Sequence, residues 1–178
     1  GNSKTTTQIK CYYPTVNMFA FRYQKKDTCF KLLSPGIAYL YPGSIKSKYL
    51  TKIMPEILNT KGLIIDLRCY PSDFIVFTLS DYLLPKSTDF VKFSNGSINI
   101  PGLFTFKSGN KVGKNNNGYY KGKIIIIINE ITQSQAEYTT MAFRIAPNAT
   151  VIGSTTAGAD GNISALCLPG AINTTISG

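Results

Sequence analysis

Two long apolar runs dominate the pattern of hydrophobic and polar positions, and both predict buried strands. Residues 62–67 read Gly-Leu-Ile-Ile-Asp-Leu, and residues 123–129 contain five consecutive isoleucines. Such runs are typical of parallel strands that are covered on both faces. Two shorter runs, at residues 37–41 and 150–153, end at Pro-Gly or at glycine and predict two more strands.

Three segments between these strands have the spacing of amphipathic helices, at residues 46–58, 73–84 and 134–145. In the first, Ser44 is the expected N-terminal cap, and Pro55 is expected to kink the helix or to end it early. The side chains predicted on its apolar face are Tyr49, Leu50, Ile53 and Ile57.

Alternating strands and helices predict an α/β fold with a largely parallel sheet and the helices packed against it. Residues 88–123 interrupt this order, because short apolar pieces are broken there by Asn-Gly and Pro-Gly. We expect two or three inserted antiparallel strands in this region and a long exposed loop at 107–118. Two final strands are predicted at 163–168 and 171–176.

The predicted domain organisation is an N-terminal linker or hairpin region, residues 1–35, followed by a core domain, residues 36–178. In the first region, a turn at residues 25–27 is expected to join strands at 18–21 and 29–33. The abrupt ends of the chain suggest a segment of a longer parent that is truncated at its C-terminus.

Composition limits the chemistry that the chain can perform alone. It has 178 residues, a net charge of +10 and no histidine, so it cannot complete a Ser-His-Asp triad, a Cys-His dyad or a His-bound metal site. We expect no metal or cofactor, and no apolar run is long enough for a membrane span. The four cysteines allow three disulfide pairings, but we expect buried or half-buried thiols at Cys11, Cys29, Cys69 and Cys167.

A lysine-rich stretch raises the question of nucleic-acid binding, since two tyrosines beside it could stack on bases. No recognised binding motif surrounds it, and a solvated flap is the favoured interpretation, so we expect no nucleic-acid partner. Nor is the glycine-rich loop at 157–161 a phosphate loop, because it lacks the signature and no helix follows. The lysines are Lys107, Lys111, Lys114, Lys121 and Lys123.

Functional sites of parallel sheets lie beyond the carboxyl ends of the strands, which directs attention to residues 68–73 and 130–134. Ser134-Gln-Ala-Glu137 matches a helix capping box. The same serine also suits a nucleophile, because helix N-terminal amides stabilise negative charge. Likewise, the 68–73 loop is either a simple turn or a source of backbone donors facing Ser134. Asp66 is expected to be buried and bound by a backbone donor or by Arg68.

Four segments, taken in order, resemble the C-terminal processing (tail-specific) serine peptidase family, which is related to the tricorn core protease. Residues 36–40 resemble its "IGYI" strand, and residues 62–73 resemble "GLIIDLRGNPGG". Residues 125–137 are similar to "VLVNGGTASASE", and residues 152–159 to "VGEKTFGKG". The resemblance covers residues 36–170 with order and spacing preserved.

This resemblance implies a spiral αβα core of the Clp protease and crotonase type. It implies that Ser134 is the nucleophile and that the backbone amides of Gln135 and of a residue around Ser72 form the oxyanion hole. It also implies a polypeptide substrate and a periplasmic or secreted location.

The chain departs from the family pattern at the general base. The family's usual base is a lysine, and Ala159 stands at its position, while Ser72 and Asp73 replace the two glycines of "NPGG". The tricorn-like branch uses an upstream histidine and a distant downstream glutamate, but this chain has no histidine and ends 44 residues after Ser134.

Two functional hypotheses follow from the sequence. The first is a serine endopeptidase core whose base comes from the remaining domains of the parent chain, so that this segment alone is inactive. The alternative is a non-catalytic, peptide-binding relative in which Ser134 only caps a helix.

Overall fold

The computed structural model describes residues 28–170 and 172–177, which form a layered arrangement of strands and helices. No helix in these ranges is long and apolar enough to cross a membrane. In chain order, the elements are β1 (Phe30–Ser34), β2 (Ile37–Leu40), α1 (Ser47–Leu58), β3 (Gly62–Asp66), α2 (Val76–Leu83), β4 (Thr88–Asp89), β5 (Phe93–Gly96), β6 (Phe104–Lys107), β7 (Lys111–Val112), β8 (Lys123–Ile128), α3 (Gln135–Phe143), β9 (Ala149–Gly153), β10 (Ile163–Leu168) and β11 (Ile172–Ser177).

A five-stranded sheet with the order β1-β2-β3-β8-β9 forms the centre of the fold. Strands β2, β3, β8 and β9 pair in parallel, and β1 pairs antiparallel to β2 at one edge. Antiparallel pairs also form between β4 and β7, β5 and β6, and β10 and β11. The predicted fold class, α/β with a mostly parallel sheet and inserted antiparallel hairpins, is therefore confirmed. The strand predicted at 18–21 lies outside the described residues.

All three helices of the described residues pack on one face of the sheet, whose opposite face is half-buried there, so burial of the strands on both faces stays a prediction. Ile65 and Ile126 are fully buried, whereas their neighbours Ile64 and Ile125, which point to the other face, are half-buried. Isoleucine favours strands whichever face is covered, so an unbroken run does not reveal how many faces are buried. All three helices contribute to one core, through Leu50, Met54, Ile57, Leu79, Leu83, Ala142 and Phe143.

The N-terminus of α1 is bound by a distant loop and not by Ser44, which corrects the predicted cap. Asp73 Oδ2 accepts a hydrogen bond from the backbone N–H of Ser47 at 2.8 Å, while Ser44 lies in a short 3-10 turn, Pro42–Ser44. Asp73 Oδ1 also accepts from Phe74 N–H. With its carboxylate used in this way, Asp73 stands outside α2, which begins three residues later than predicted.

The structure also bears on two other expectations for α1. Of the two effects expected of Pro55, the early end is excluded, because α1 continues to Leu58 as predicted, while the kink stays a prediction. Tyr49 is 42% exposed, and Met54 takes a buried position that the predicted apolar face had not included. The face defined by Leu50 and Ile57 is buried as predicted.

The insertion between α2 and β8 is held to the rest of the fold more firmly than expected of the long exposed loop predicted at 107–118. Within the stretch predicted as an exposed loop, Val112 is buried and pairs with Thr88 of β4. Asn116 Nδ2 donates to the backbone oxygen of Asp81 at 2.9 Å. The loop is therefore held to β4 at one point and to α2 at another.

The described cysteines do not form disulfides with one another. Cys69 is buried and Cys29 is half-buried, as predicted, but Cys167 in β10 is exposed. Cys11 lies outside the described residues.

Thr132 joins the loops that follow β3 and β8, where the candidate site lies. Its side chain is fully buried. Its hydroxyl donates to Leu67 O at 2.8 Å and accepts from Asn129 N–H at 3.0 Å. One hydroxyl thus fixes the spacing of two neighbouring strand ends.

We predict that Thr132→Val lowers the free energy of unfolding by about 2–4 kcal/mol, because an isosteric side chain leaves a buried carbonyl and a buried N–H unpaired. Thr132→Ser is the matched control, since it keeps the hydroxyl and loses only a methyl group, worth about 0.8 kcal/mol. Urea denaturation measures both. A valine variant as stable as the serine variant would contradict the role of this hydroxyl.

Candidate active site

Ser134 occupies a tight turn between β8 and α3 and has a strained backbone. Its φ is +51° and its ψ is −114°, and it is the one non-glycine residue with positive φ in the described part of the chain. Such conformations cost about 1–3 kcal/mol and cluster at active sites. A strained serine between a strand and a helix is also the geometry that exposes the nucleophile in other hydrolases.

The start of α3 offers the Gln135 amide as a backbone donor beside this serine, while Ala136 N–H already donates to Gln133 O at 3.0 Å. The helix begins at Gln135, and the amides of the first helical turn have no partners within the helix. The positive end of the helix dipole adds to their attraction for negative charge. This end of α3 can therefore stabilise an oxyanion that forms on a substrate held at Ser134.

Glu137 is a buried carboxylate that joins the start of α3 to the loop after β9. Oε2 accepts from the N–H groups of Ser134 at 2.8 Å and Ala159 at 3.0 Å. Oε1 accepts from Gly158 N–H at 2.7 Å and from the Thr156 hydroxyl at 2.6 Å. The first bond is the contribution of Glu137 to the predicted capping box. Burial opposes ionisation, but these hydrogen bonds lower the pKa of Glu137 below its ordinary value.

The shared oxygen brings Ala159 next to the candidate nucleophile. Ser134 and Ala159 both donate to Oε2 of Glu137, so their amide nitrogens lie within two hydrogen-bond lengths of each other. The same loop is also anchored by Ala157 N–H, which donates to Thr132 O at 3.0 Å. The position at which the resembled family has its lysine therefore lies beside Ser134, although the side chain there is a methyl group.

Gly153 begins this loop at the end of β9 and has a backbone that requires glycine. Its φ is +123°, and a Cβ at this position would lie 1.9 Å from Ile128 O. The absence of a side chain lets the chain turn closely over β8 and return to α3.

The loop after β3 meets the start of α3, as the sequence predicted, but the Ser72 amide is already used. Ser72 N–H donates to Pro42 O at 3.0 Å, and its hydroxyl donates to the backbone oxygen of Ile45. Gln135 Nε2 donates to Asp73 O at 3.1 Å and joins the two loops. Ser72 thus ties its loop to the turn after β2, and an oxyanion role for an amide around Ser72 stays a prediction.

An ionic cluster with a buried carboxylate lies at the end of β3, as expected for Asp66. Asp66 is 1% exposed. It accepts hydrogen bonds from Arg68 Nε at 2.9 Å, Arg68 N–H at 3.2 Å and the Tyr39 hydroxyl at 2.6 Å. Burial disfavours the charge, yet the bonds from Arg68 and Tyr39 hold the pKa of Asp66 well below its usual range. The cluster fixes the strand end from which the 68–73 loop departs.

Sequence analysis missed one titratable group near this site, Asp160. It lines an open cavity of about 650 Å³ between α3 and the loop after β9. Desolvation of the carboxyl group and the nearby charge of Glu137 raise the pKa of Asp160 to about 6. Its cavity neighbours on α3 are Glu137, Thr140 and Met141, Arg144 follows directly after the helix, and Ser134 does not line the cavity. The signal available in the sequence was an acid within a glycine-rich loop, directly after the aligned position of the base.

We predict that Asp160→Asn stabilises the protein above about pH 6 and that this advantage disappears below about pH 4. The pKa of Asp160 rises from 3.8 to about 6 on folding, so ionised Asp160 is penalised in the folded state only. Below 3.8 the carboxyl group is protonated in both states and the penalty is absent. Urea denaturation of both proteins across this pH range measures the difference. Equal stabilities at every pH would contradict the assignment.

The chain matches one protein family and several solved structures. The model of peptidase family S41 matches residues 36–177. No curated protein matches the chain. Among solved structures, a candidate peptidase from Parabacteroides merdae has a TM-score of 0.66 at 19% identity, with 83% of this chain and 49% of that chain covered. A lipoprotein from Streptococcus agalactiae has a TM-score of 0.53 at 21% identity, with 83% and 56% covered.

A third structure, the photosystem II D1 C-terminal processing protease, has a TM-score of 0.52 at 13% identity, with 79% of this chain and 36% of that chain covered. At these identities the structural likeness shows the fold, and the chain spans about half the length of the first two proteins. The family match is stronger evidence, because it runs from the residue before β2 to the last residue of β11. The chain therefore belongs to peptidase family S41.

Proposed function

We propose that this chain is the nucleophile-bearing core of a serine endopeptidase that hydrolyses peptide bonds in polypeptide substrates. The observation that carries the proposal is the backbone of Ser134, which is strained at the N-terminus of α3. Strain of this kind persists only where the surroundings enforce it. Glu137 and Thr132 enforce it here through bonds to the same turn and its neighbours.

In the proposed reaction, Ser134 Oγ attacks the carbonyl carbon of the scissile peptide bond while a general base takes its proton. The carbonyl oxygen becomes an oxyanion, which accepts a hydrogen bond from the Gln135 amide at the start of α3. An amide around Ser72 is the second donor. The protonated base then gives its proton to the leaving amine, and water hydrolyses the acyl-enzyme.

The second donor requires a rearrangement of the 68–73 loop. The Ser72 amide now donates to Pro42 O, so in this role it would exchange that bond for one to the oxyanion. Removal of one oxyanion donor slows comparable enzymes by about 10²–10³-fold, which gives the scale of what this exchange would contribute.

The base is proposed to come from the remaining domains of the parent chain. Ala159 has no titratable group at the position of the family's lysine, and the sequence has no histidine. Asp160 faces a cavity that Ser134 does not line. A serine hydroxyl without a base is a weak nucleophile near neutral pH, so the segment alone is expected to be inactive.

The proposal extends to location and partners. A periplasmic or secreted site of action is supported by the family resemblance and by the likeness to a lipoprotein. Its partners are polypeptide substrates and the parent's other domains.

The alternative is a non-catalytic, peptide-binding domain on the same fold. Two observations favour it: Ala159 in place of a lysine, and a Ser72 amide that is engaged with Pro42. In that case Ser134 only caps the N-terminus of α3.

We predict that Ser134→Ala abolishes fluorophosphonate labelling and peptide hydrolysis by the full-length parent, because both reactions need Oγ as the nucleophile. Labelling is followed by gel fluorescence and hydrolysis with a quenched peptide. Ser164→Ala is the control, since Ser164 is an exposed serine of β10. A parent that neither reacts with the probe nor cleaves peptides, or that does both after Ser134→Ala, would exclude the peptidase. Retained peptide binding without labelling would support the alternative.

We also predict that Ala159→Lys speeds labelling of the isolated segment at Ser134 by about 10²-fold or more, the usual gain from a positioned general base. Position 159 is half-buried, which favours the neutral amine that the reaction needs. The rate should rise with pH as the lysine loses its proton.

Ala157→Lys is the matched control, because it adds the same charge to an exposed position of the same loop. If both lysine variants react at the same rate, or if Ala159→Lys reacts no faster than the unmodified chain, position 159 does not serve the nucleophile.

A further inference from the structure

The β5–β6 hairpin exposes a group of apolar side chains far from the core. Ile98 is 99% exposed, Phe104 65% and Phe106 76%. Soluble proteins rarely leave such a contiguous apolar group in water unless it meets a partner. We call this group the apolar tip; it consists of Ile98, Ile100, Leu103, Phe104 and Phe106.

The apolar tip lies within the most basic part of the chain. Residues 86–123, the basic segment, contain seven lysines and one aspartate, which gives +6 of the total net charge of +10. Two of these lysines mark the base of the hairpin, because Lys107 pairs with Phe93 in the strand register and Lys92 precedes Phe93. Both are exposed. Two positively charged side chains therefore lie at the base of the hairpin that carries the apolar tip.

The second exposed hairpin, β10–β11, has exposed apolar side chains without a positive charge. It also exposes apolar side chains, among them Leu166, Leu168 and Ile172. Residues 161–178, however, contain no lysine or arginine. Of these two hairpins, it is therefore the β5–β6 hairpin that combines exposed apolar side chains with positive charge.

We propose that the β5–β6 hairpin docks this protein on an anionic lipid surface. The apolar tip enters the boundary between headgroups and acyl chains, and Lys92 and Lys107 bind the headgroup phosphates. A strand of four residues spans about 13 Å, which exceeds the ~5–10 Å depth of interfacial insertion. The tip can therefore be inserted while the lysines at the base stay at headgroup level.

A lipid surface accounts for both features of the hairpin, whereas a duplex nucleic acid accounts for one. The phosphates of a duplex would attract the lysines but would leave the apolar tip in water. A single strand could stack bases on Phe104 and Phe106 but would leave Ile98, the most exposed apolar side chain, in water. Anionic lipids supply phosphate charge and an apolar layer a few ångströms apart. This docking involves neither Ser134 nor its surroundings, so it is independent of the peptidase proposal.

The absence of tryptophan from the sequence allows a direct test. Ile98→Trp places a single reporter at the apolar tip, and Ile163→Trp places the control reporter at a residue of β10 that is 62% exposed. With vesicles of phosphatidylcholine and phosphatidylglycerol, emission of the first variant shifts to the blue and that of the second does not. The shift is absent with phosphatidylcholine alone and declines as salt is added.

Vesicle sedimentation tests the two components separately. Lys92→Gln with Lys107→Gln weakens binding by about fivefold per lysine. Ile98→Ser, Ile100→Ser and Phe106→Ser together weaken it on the order of 100-fold. The matched control, Leu166→Ser, Leu168→Ser and Ile172→Ser, leaves binding unchanged.

Three results would overturn the proposal. One is vesicle binding that the apolar variant retains in full. Another is equal binding to vesicles without phosphatidylglycerol. The third is a blue shift of Ile98→Trp that appears with duplex DNA, or on self-association in gel filtration, and not with vesicles, which would assign the tip to a nucleic acid or to a second copy of the chain.

Discussion

Glu137 is the carboxylate on which the geometry of the candidate site depends. Its two oxygens accept hydrogen bonds from Ser134 and Ala159 on one side and from Thr156 and Gly158 on the other. Those donors belong to the start of α3 and to the loop after β9, so one side chain fixes the relative position of both. Glu137 is buried, and a buried polar group without a partner costs about 1–3 kcal/mol, more when it is charged, which disfavours arrangements that break these bonds.

The strain at Ser134 follows from the same constraint. A residue with a side chain avoids a φ of +51° when it is free to do so. Here Glu137 holds the amide of Ser134 from within α3, while Thr132 fixes the turn two residues earlier against Leu67. The strain is therefore maintained by bonds on both sides of the serine.

Sequence patterns predicted the elements better than the contacts between them. The run of isoleucines in β8 identified a strand because side-chain shape limits the backbone locally. It could not show that helices cover one face, since this depends on where α1, α2 and α3 pack. The cap of α1 was missed for a related reason: Asp73 reaches Ser47 from another loop, and a long-range bond leaves no local signature.

The position of the candidate site could be predicted from the sequence, but its backbone conformation and hydrogen bonds could not. Ser134 follows a strand and begins a helix, which the sequence shows directly, but its dihedral angles arise from Glu137 and Thr132 together. The use of the Ser72 amide by Pro42 was equally invisible. Asp160 was missed because its raised pKa comes from desolvation in the folded chain and from the neighbouring charge of Glu137, which lies 23 residues earlier in the chain.

The absence of histidine and the identity of residue 159 together restrict how the proposed chemistry could be completed. The backbone of Ala159 is bound to the same carboxylate oxygen as the backbone of Ser134, so position 159 lies beside the serine, although the side chain there is a methyl group. A methyl group at this position leaves room beside Ser134. If the proposed function is correct, the general base comes from elsewhere in the parent and occupies the space beside Ser134. The pKa of that base would then depend on its desolvation and on the charge of the buried, ionised Glu137.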